Sequence, residues 1–161
     1  MASTLYGEHL RKAFHGGTFT GVSLREALDG IGYPACAERP HGLNSCVRLV
    51  HHVGYYLELH NRVLAGGPIE GSDKLSWHHD PVENQDDWDA LVRRVFAAAD
   101  TWAAHVDALG DTQLDAPFGG TDKYGTLRAN LLSLLEHTQY HIGQVGMLRR
   151  LLGLDSVFTP K

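Results

Sequence analysis

The sequence predicts an all-α protein built as a four-helix bundle, and three observations support this prediction. Apolar residues recur at intervals of three and four over long stretches, which is the period of a helix with one buried face. Prolines and glycine pairs fall between these stretches. The chain has 161 residues, a length that suits one domain with one hydrophobic core. We therefore expect residues 1–161 to form a single helical bundle domain.

Four amphipathic stretches supply the helices of this bundle. A short one runs from about Thr4 to Phe14. A long one starts near Asn44 or Ser45 and ends at the glycine pair that begins with Gly66, a typical C-terminal stop. Two more long helices are expected at about 84–109 and 126–152. Four helices close a core better than three, so the N-terminal helix is expected to complete the bundle.

The segments between these helices predict the connections. Ser23 with Glu26 three residues later is typical of a capping box and indicates a short extra helical segment near the N-terminus. Residues 66–83 are rich in Gly, Pro, Ser and Asp and predict a long loop, and residues 110–125 predict a second connection. Because the long loop lets its flanking helices run in either relative direction, we expect at least one crossover connection.

Charge and composition exclude several function classes. The net charge is −5, with 19 acidic and 14 basic residues, so a nucleic-acid partner is not expected. No stretch approaches the roughly 20 apolar residues of a membrane span. The two cysteines, Cys36 and Cys46, form no CxxC pair, and the N-terminus has no apolar leader. We therefore expect a cytoplasmic protein without a membrane partner.

Histidine is unusually frequent, with 11 residues, and the last helix holds two of them at an informative spacing. His137 and His141 are four residues apart, so they lie on one face of a helix. Leu134 and Val145 share that face, which is the side expected to be buried. Two imidazoles so placed can reach one metal ion at about 2.0–2.1 Å.

The earlier long helix offers two adjacent histidines with different surroundings. The row of residues through His52 is largely apolar, whereas the row through His51 is largely polar. His52 is therefore expected to point inward and to meet His137 and His141. Two interpretations stay open at this point: the three share a metal ion, or they are core histidines bonded to Tyr56, Tyr140 or Gln144.

Two segments resemble the DinB-like superfamily. Residues 45–56 resemble its first histidine segment, an apolar helix with one inward histidine and usually an aromatic residue four positions later. Residues 137–144 resemble its closing HxxxHxGQ helix. The resemblance spans nearly the whole chain. It implies a DinB/YfiT-type bundle, commonly a homodimer, that binds one divalent ion through His52, His137 and His141. His51 stands where that family usually has an apolar residue, so an exchange of ligand between His51 and His52 stays open.

The identity of the ion is left open by the ligands. The resemblance implies zinc or nickel, and three imidazoles also accept iron, manganese, cobalt or copper. Three ligands with an open fourth position indicate a catalytic site rather than a structural one. Such a site supports hydrolysis, or attack by a thiolate on an electrophile.

Relatives in the DinB-like group include thiol-dependent S-transferases and a maleylpyruvate isomerase that uses a low-molecular-weight thiol. We therefore expect a metal-dependent S-transferase or hydrolase that acts on a small-molecule substrate, with Gln144 as a catalytic residue near that substrate. The alternative is a non-catalytic, dimeric stress or interaction module with a structural or vestigial metal site. Residues 77–80, Trp-His-His-Asp, either cover the metal site or form a solvent-exposed loop with one aromatic anchor, and the second interpretation is preferred.

Overall fold

The helices of the protein are seen in a computed structural model that describes residues 2–156. They are α1 (Ala2–His15), α2 (Leu24–Leu28), α3 (Cys46–Leu64), α4 (Asp73–Ser76), α5 (Gln85–Asp107) and α6 (Leu127–Leu151). Short 3₁₀ turns lie between them. The described residues contain no strand, and one isolated bridge pairs Pro117 with Thr126. The predicted all-α class is confirmed, and no helix of residues 2–156 has the length and apolar content needed to cross a membrane.

Side-chain caps start the long helices one residue later than the sequence pattern suggests. The side chains of Ser45, Asn84 and Thr126 each accept a hydrogen bond from the backbone N–H of the third residue of the helix that follows. These cap residues have an extended backbone, so they stand outside the helices they begin. The capping box of Ser23 and Glu26 at the start of α2 is confirmed.

Each of the four longest helices packs against two of the others. α3 packs against α5 and α6, and α1 packs against the same two helices. The helices α1 and α3 therefore lie across the bundle from each other, and so do α5 and α6. The assignment to the DinB/YfiT type of bundle topology stays a prediction.

A close approach between α3 and α5 fixes the position of the helix that carries His52. Gly54 faces Val95, and a Cβ atom at Gly54 would lie only 2.5 Å from Val95 Cγ2. Such a distance is far below van der Waals contact, so the missing side chain lets the two helices come together. The largest fully buried side chains of the bundle core include Trp102, Phe14, Leu57 and Leu131.

Both cysteines are core residues. Cys36 and Cys46 are free and buried, and burial raises the pKa of the Cys36 thiol to about 11 and that of the Cys46 thiol to about 12. Both thiols are therefore protonated and unreactive at neutral pH. The prediction that Cys46 packs as a small core residue agrees with this burial.

The segment between α3 and α5 is more ordered than the sequence suggests. The sequence predicts a loop over residues 66–83, whereas the structure has the short helix α4 within it. The side chain of Ser72 accepts a hydrogen bond from Leu75 N, and the Ser72 backbone N–H donates to Tyr55 Oη at 2.9 Å. A helix of four residues is too short to produce a periodic pattern, which is why sequence analysis missed it.

Candidate metal centre

Three imidazoles from two helices converge on one point inside the bundle. His52 comes from α3, and His137 and His141 come from α6. The Nε2 atom of His137 lies 3.0 Å from that of His52 and 3.1 Å from that of His141. All three potential ligand atoms lie within 4.8 Å of one another. Nitrogen ligands at about 2.0–2.1 Å from a shared ion are roughly 3 Å apart, and the separations of His137 Nε2 from the other two Nε2 atoms match this value.

Burial keeps these imidazoles neutral. His52 is 3% exposed and His141 is 5% exposed, and His137 is half-buried. Burial, reinforced by the neighbouring imidazoles, lowers the pKa of His52 to about 4 and that of His137 to about 3. Burial also lowers the pKa of His141, and the hydrogen bond to Gln144 opposes that shift. Neutral imidazoles at pH 7 have lone pairs available for a cation.

Gln144 selects the tautomer of His141. The Nδ1–H of His141 donates to Gln144 Oε1 at 2.7 Å, and Gln144 Nε2 donates to Tyr140 Oη at 3.0 Å. Because Nδ1 carries the proton, Nε2 of His141 presents its lone pair to the other two histidines. Gln144 thus contacts a ligand candidate directly, and its predicted role toward a substrate stays a prediction.

Hydrogen bonding within the protein does not satisfy this cluster. An imidazole nitrogen holds either one proton or one lone pair, yet His137 Nε2 faces two other Nε2 atoms at 3.0 and 3.1 Å. His137 Nδ1 is buried and has no hydrogen-bond partner among the described residues. Tyr56 packs its ring against His52 and His137 at centroid distances of 5.1 and 4.9 Å. A divalent cation would accept all three Nε2 lone pairs, so the donor set fits an ion better than a hydrogen-bonded core.

The cluster has no fourth protein ligand within residues 2–156. No Asp, Glu, Cys or further His of that range joins the three histidines. Glu58 lies elsewhere on α3 and pairs with Arg94 at 3.3 Å. A site with three protein ligands leaves a position for a water molecule or a substrate, which is typical of catalytic metal sites.

His51 lies outside the cluster. Its Nδ1 accepts a hydrogen bond from Arg94 Nη2 at 3.3 Å, and its ring lies 5.7 Å from that of His79. These contacts turn His51 toward α5. The structure therefore places His52, and not its neighbour, beside His137 and His141.

Trp77 covers one side of the histidines. Its ring stacks on the His52 imidazole with a centroid distance of 3.7 Å and an interplanar angle of 14°, and it lies 6.2 Å from the His141 ring. His78 is exposed, and His79 Nδ1 donates to the carbonyl of Asp80. Trp77 is thus the aromatic anchor expected for residues 77–80, and it packs on the histidine cluster. A role of this segment as a cover of a metal site stays a prediction.

Arg48 lies beside Trp77 and is not among the candidate site residues that the sequence indicates. Its guanidinium carbon lies 5.5 Å from the centroid of the Trp77 ring. Arg48 belongs to the largely polar row of α3 that also carries His51, three residues later. The signal that could have identified it is its spacing of four residues from His52, which places both side chains on one side of the helix.

Comparison with known proteins agrees with the resemblance of the two histidine segments. The sequence model of the DinB superfamily matches residues 19–145, a span that includes all three clustered histidines. Searches of curated proteins and of solved structures give no match. The family match covers well over half of the sequence, and the chain therefore belongs to the DinB superfamily.

Proposed function

We propose that this protein is a metal-dependent enzyme that binds one divalent ion through His52, His137 and His141. The observation that supports the proposal is the convergence of three neutral imidazole nitrogens with no fourth ligand among the described residues. We propose zinc or nickel as the ion, because borderline ions suit imidazole ligands.

Other side chains of the protein orient the proposed ligands and keep water away from one side of them. Gln144 holds His141 in the tautomer whose Nε2 can bind a cation. The Trp77 indole shields one face of His52 from solvent. The close contact of Gly54 with Val95 fixes the height of α3, and thereby of His52, relative to the other helices.

We propose thiol-dependent S-transfer as the reaction, with hydrolysis as the other reaction of the same site. A divalent ion held by three imidazoles supplies Lewis acidity, which favours the ionised form of a thiol or a water molecule. The partners are then a low-molecular-weight thiol and a small electrophilic substrate. In this proposal Gln144 also lies near the substrate, one helical turn beyond the ligand His141.

A second candidate is a non-catalytic homodimeric module with a structural ion. It is favoured by apolar side chains exposed on α6, where Tyr140 is 64% and Met147 is 66% exposed. Self-association through α6 is compatible with either candidate. The two candidates differ in what happens at the coordination position that no protein ligand fills. An enzyme consumes thiol and electrophile there, whereas a structural module does not.

The metal content of the untagged protein tests the ligand assignment. We expect about one ion per chain by elemental analysis in the wild type and in His51→Ala, because His51 faces Arg94. His52→Ala and His137→Ala should each lose the ion, since two imidazoles bind far more weakly than three. Stoichiometric metal in both of these variants would refute the assignment.

An activity assay then separates the two candidates. The metal-loaded protein is incubated with a panel of bacterial low-molecular-weight thiols and an electrophile such as chlorodinitrobenzene, and separately with activated esters. Conjugation or hydrolysis that disappears in His137→Ala supports the enzyme. A fully loaded protein that is inactive in both assays supports the structural module.

A further inference from the structure

Arg48 has a guanidinium group without a polar partner. Its Nε atom is buried, and no hydrogen bond or ion pair joins its side chain to any described residue. Its contact in the structure is the face of the Trp77 ring, 5.5 Å from the guanidinium carbon. The terminal nitrogens of Arg48 are not among the buried unpaired atoms, so a molecule in solvent can reach them.

The other arginines of residues 2–156 do not share this condition. They bond to a carboxylate, a carbonyl oxygen or a histidine nitrogen, or they are exposed to solvent. The bonded ones are Arg11, Arg25, Arg39, Arg62, Arg94, Arg128 and Arg149, and the exposed ones are Arg93 and Arg150. Arg48 alone combines a buried guanidinium nitrogen with the lack of a partner in this range.

An unpaired guanidinium in such a place requires an explanation. Arginine stays charged at any physiological pH, so the buried Nε–H of Arg48 stays a hydrogen-bond donor that lacks an acceptor. A buried donor of a charged group that lacks an acceptor costs more than an ordinary missing hydrogen bond. An anion is the partner that removes this cost, and a carboxylate matches the planar donor array of a guanidinium.

The position of Arg48 connects this anion to the three histidines. Trp77 contacts Arg48 and also stacks on His52, so the three side chains form a continuous row on one side of α3. Arg48 also lies in the first turn of α3, a helix of 19 residues whose N-terminal end carries a positive partial charge. The charge of Asp73 partly opposes the lowering of the His52 pKa, and no ion pair among the described residues joins Asp73 to Arg48.

We propose that Arg48 binds the carboxylate of a small-molecule substrate whose reacting atom lies at the three-histidine centre, with the Trp77 indole between the two. This inference deepens the proposed function and rests on it. It assigns the substrate to one chemical class, that of carboxylated electrophiles or esters. Arg48 is a binding residue in this scheme and takes no part in bond making or breaking.

The experiment measures the binding of succinate to the full chain that carries its native ion. Succinate is the probe because it is a small carboxylate, and its diamide is the neutral control of the same shape. Isothermal titration calorimetry is performed on wild type, Arg48→Gln, Arg48→Lys and the exposed control Arg93→Gln. Elemental analysis on the same samples shows whether all variants hold the same amount of metal. If they do, succinate that binds directly to the ion contributes equally in every variant.

We expect Arg48→Gln to weaken succinate binding by about tenfold or more, the scale of one charged hydrogen-bonded pair. Arg48→Lys should lose less, Arg93→Gln should match the wild type, and the diamide should not bind. Equal affinity in Arg48→Gln and wild type would overturn the inference, as would saturable binding of inorganic phosphate but not of succinate.

The same samples separate this inference from the proposed function. If the protein holds its full metal content and succinate binds equally well with and without Arg48, the inference alone is overturned. Metal-free protein with succinate binding that depends on Arg48 overturns the proposed function, and it leaves Arg48 as a carboxylate-binding residue without a metal centre beside it.

Discussion

A hydrogen bond of 2.7 Å ties His141 to Gln144, and this contact determines which nitrogen of His141 faces the other two histidines. Gln144 is in turn held by Tyr140, since its amide nitrogen donates to the phenol oxygen at 3.0 Å. The orientation of one imidazole therefore depends on two further side chains of the same helix. Sequence analysis placed Gln144 near a substrate, whereas its contact in the structure is with a ligand candidate.

Gln144→Leu should weaken metal binding without unfolding the protein. Loss of the acceptor frees the His141 tautomer, and the loss of such a partner typically lowers metal affinity by about 10–100-fold. Gln144→Glu keeps an acceptor oxygen and should retain the affinity. Competition for zinc with a chromogenic chelator measures the effect. Equal affinities of Gln144→Leu and the wild type would show that the tautomer is set by something else.

Two glycines within helices differ in the space around them. Gly54 on α3 lies against Val95 of α5, where there is no room for a methyl group. Gly143 on α6 has no atom within 4 Å of the place where its Cβ would lie. Both residues lie within two positions of a clustered histidine. The first glycine allows helix packing, and the second leaves α6 with a flexible residue in its interior.

Gly54→Ala should destabilise the protein by about 1–3 kcal/mol, because the added methyl group overpacks the contact with Val95. Gly143→Ala should stabilise it by up to about 1 kcal/mol, since alanine favours the helix and meets nothing there. Urea denaturation of both variants and the wild type measures the two changes in the free energy of unfolding. The same sign in both variants would contradict the difference in packing.

The stability of the whole molecule depends on pH because folding buries histidine among apolar side chains. His60 is 7% exposed, packs on Phe118, and has its pKa lowered to about 4 by burial. The unfolded chain protonates this residue near pH 6.5, so between about pH 6.5 and 4 the unfolded state binds more protons than the folded state. Stability contributed by neutral His60 is therefore complete above this range and is lost as the pH falls through it.

His60→Leu should reduce the acid sensitivity of the metal-free protein. From pH 7 to pH 5 the wild type should lose about 2 kcal/mol more unfolding free energy than the variant, as the linkage of one proton requires. Leucine also removes a buried ring nitrogen without a partner in the described part of the chain. Urea denaturation in the presence of a chelator at both pH values provides the comparison. An equal loss in both proteins would show that His60 does not titrate in this way.

The sequence allowed prediction of the helices and of the three histidines because both depend on local periodicity. His52 and His51 could be distinguished since their rows on α3 differ in polarity, and the caps at Ser45 and Asn84 precede long apolar stretches. The fold class and the family are confirmed. The use of the histidines to bind an ion stays a prediction.

The positions of Trp77 and Arg48 could not be predicted from the sequence. Trp77 lies in a connection whose path is determined by tertiary contacts such as that of Ser72 with Tyr55. The lack of a partner for Arg48 can be recognised only when every neighbouring carboxylate has been placed. Both features depend on contacts between distant parts of the chain, which carry no periodic signal.

His52 and His137 are separated by 85 positions along the chain. An unfolded chain does not hold these two side chains close together. If they bind one ion together with His141, as proposed, the three ligands come within reach of it only after α3 and α6 have docked. Selectivity among ions would then be a property of the folded bundle, in whichever compartment folding ends.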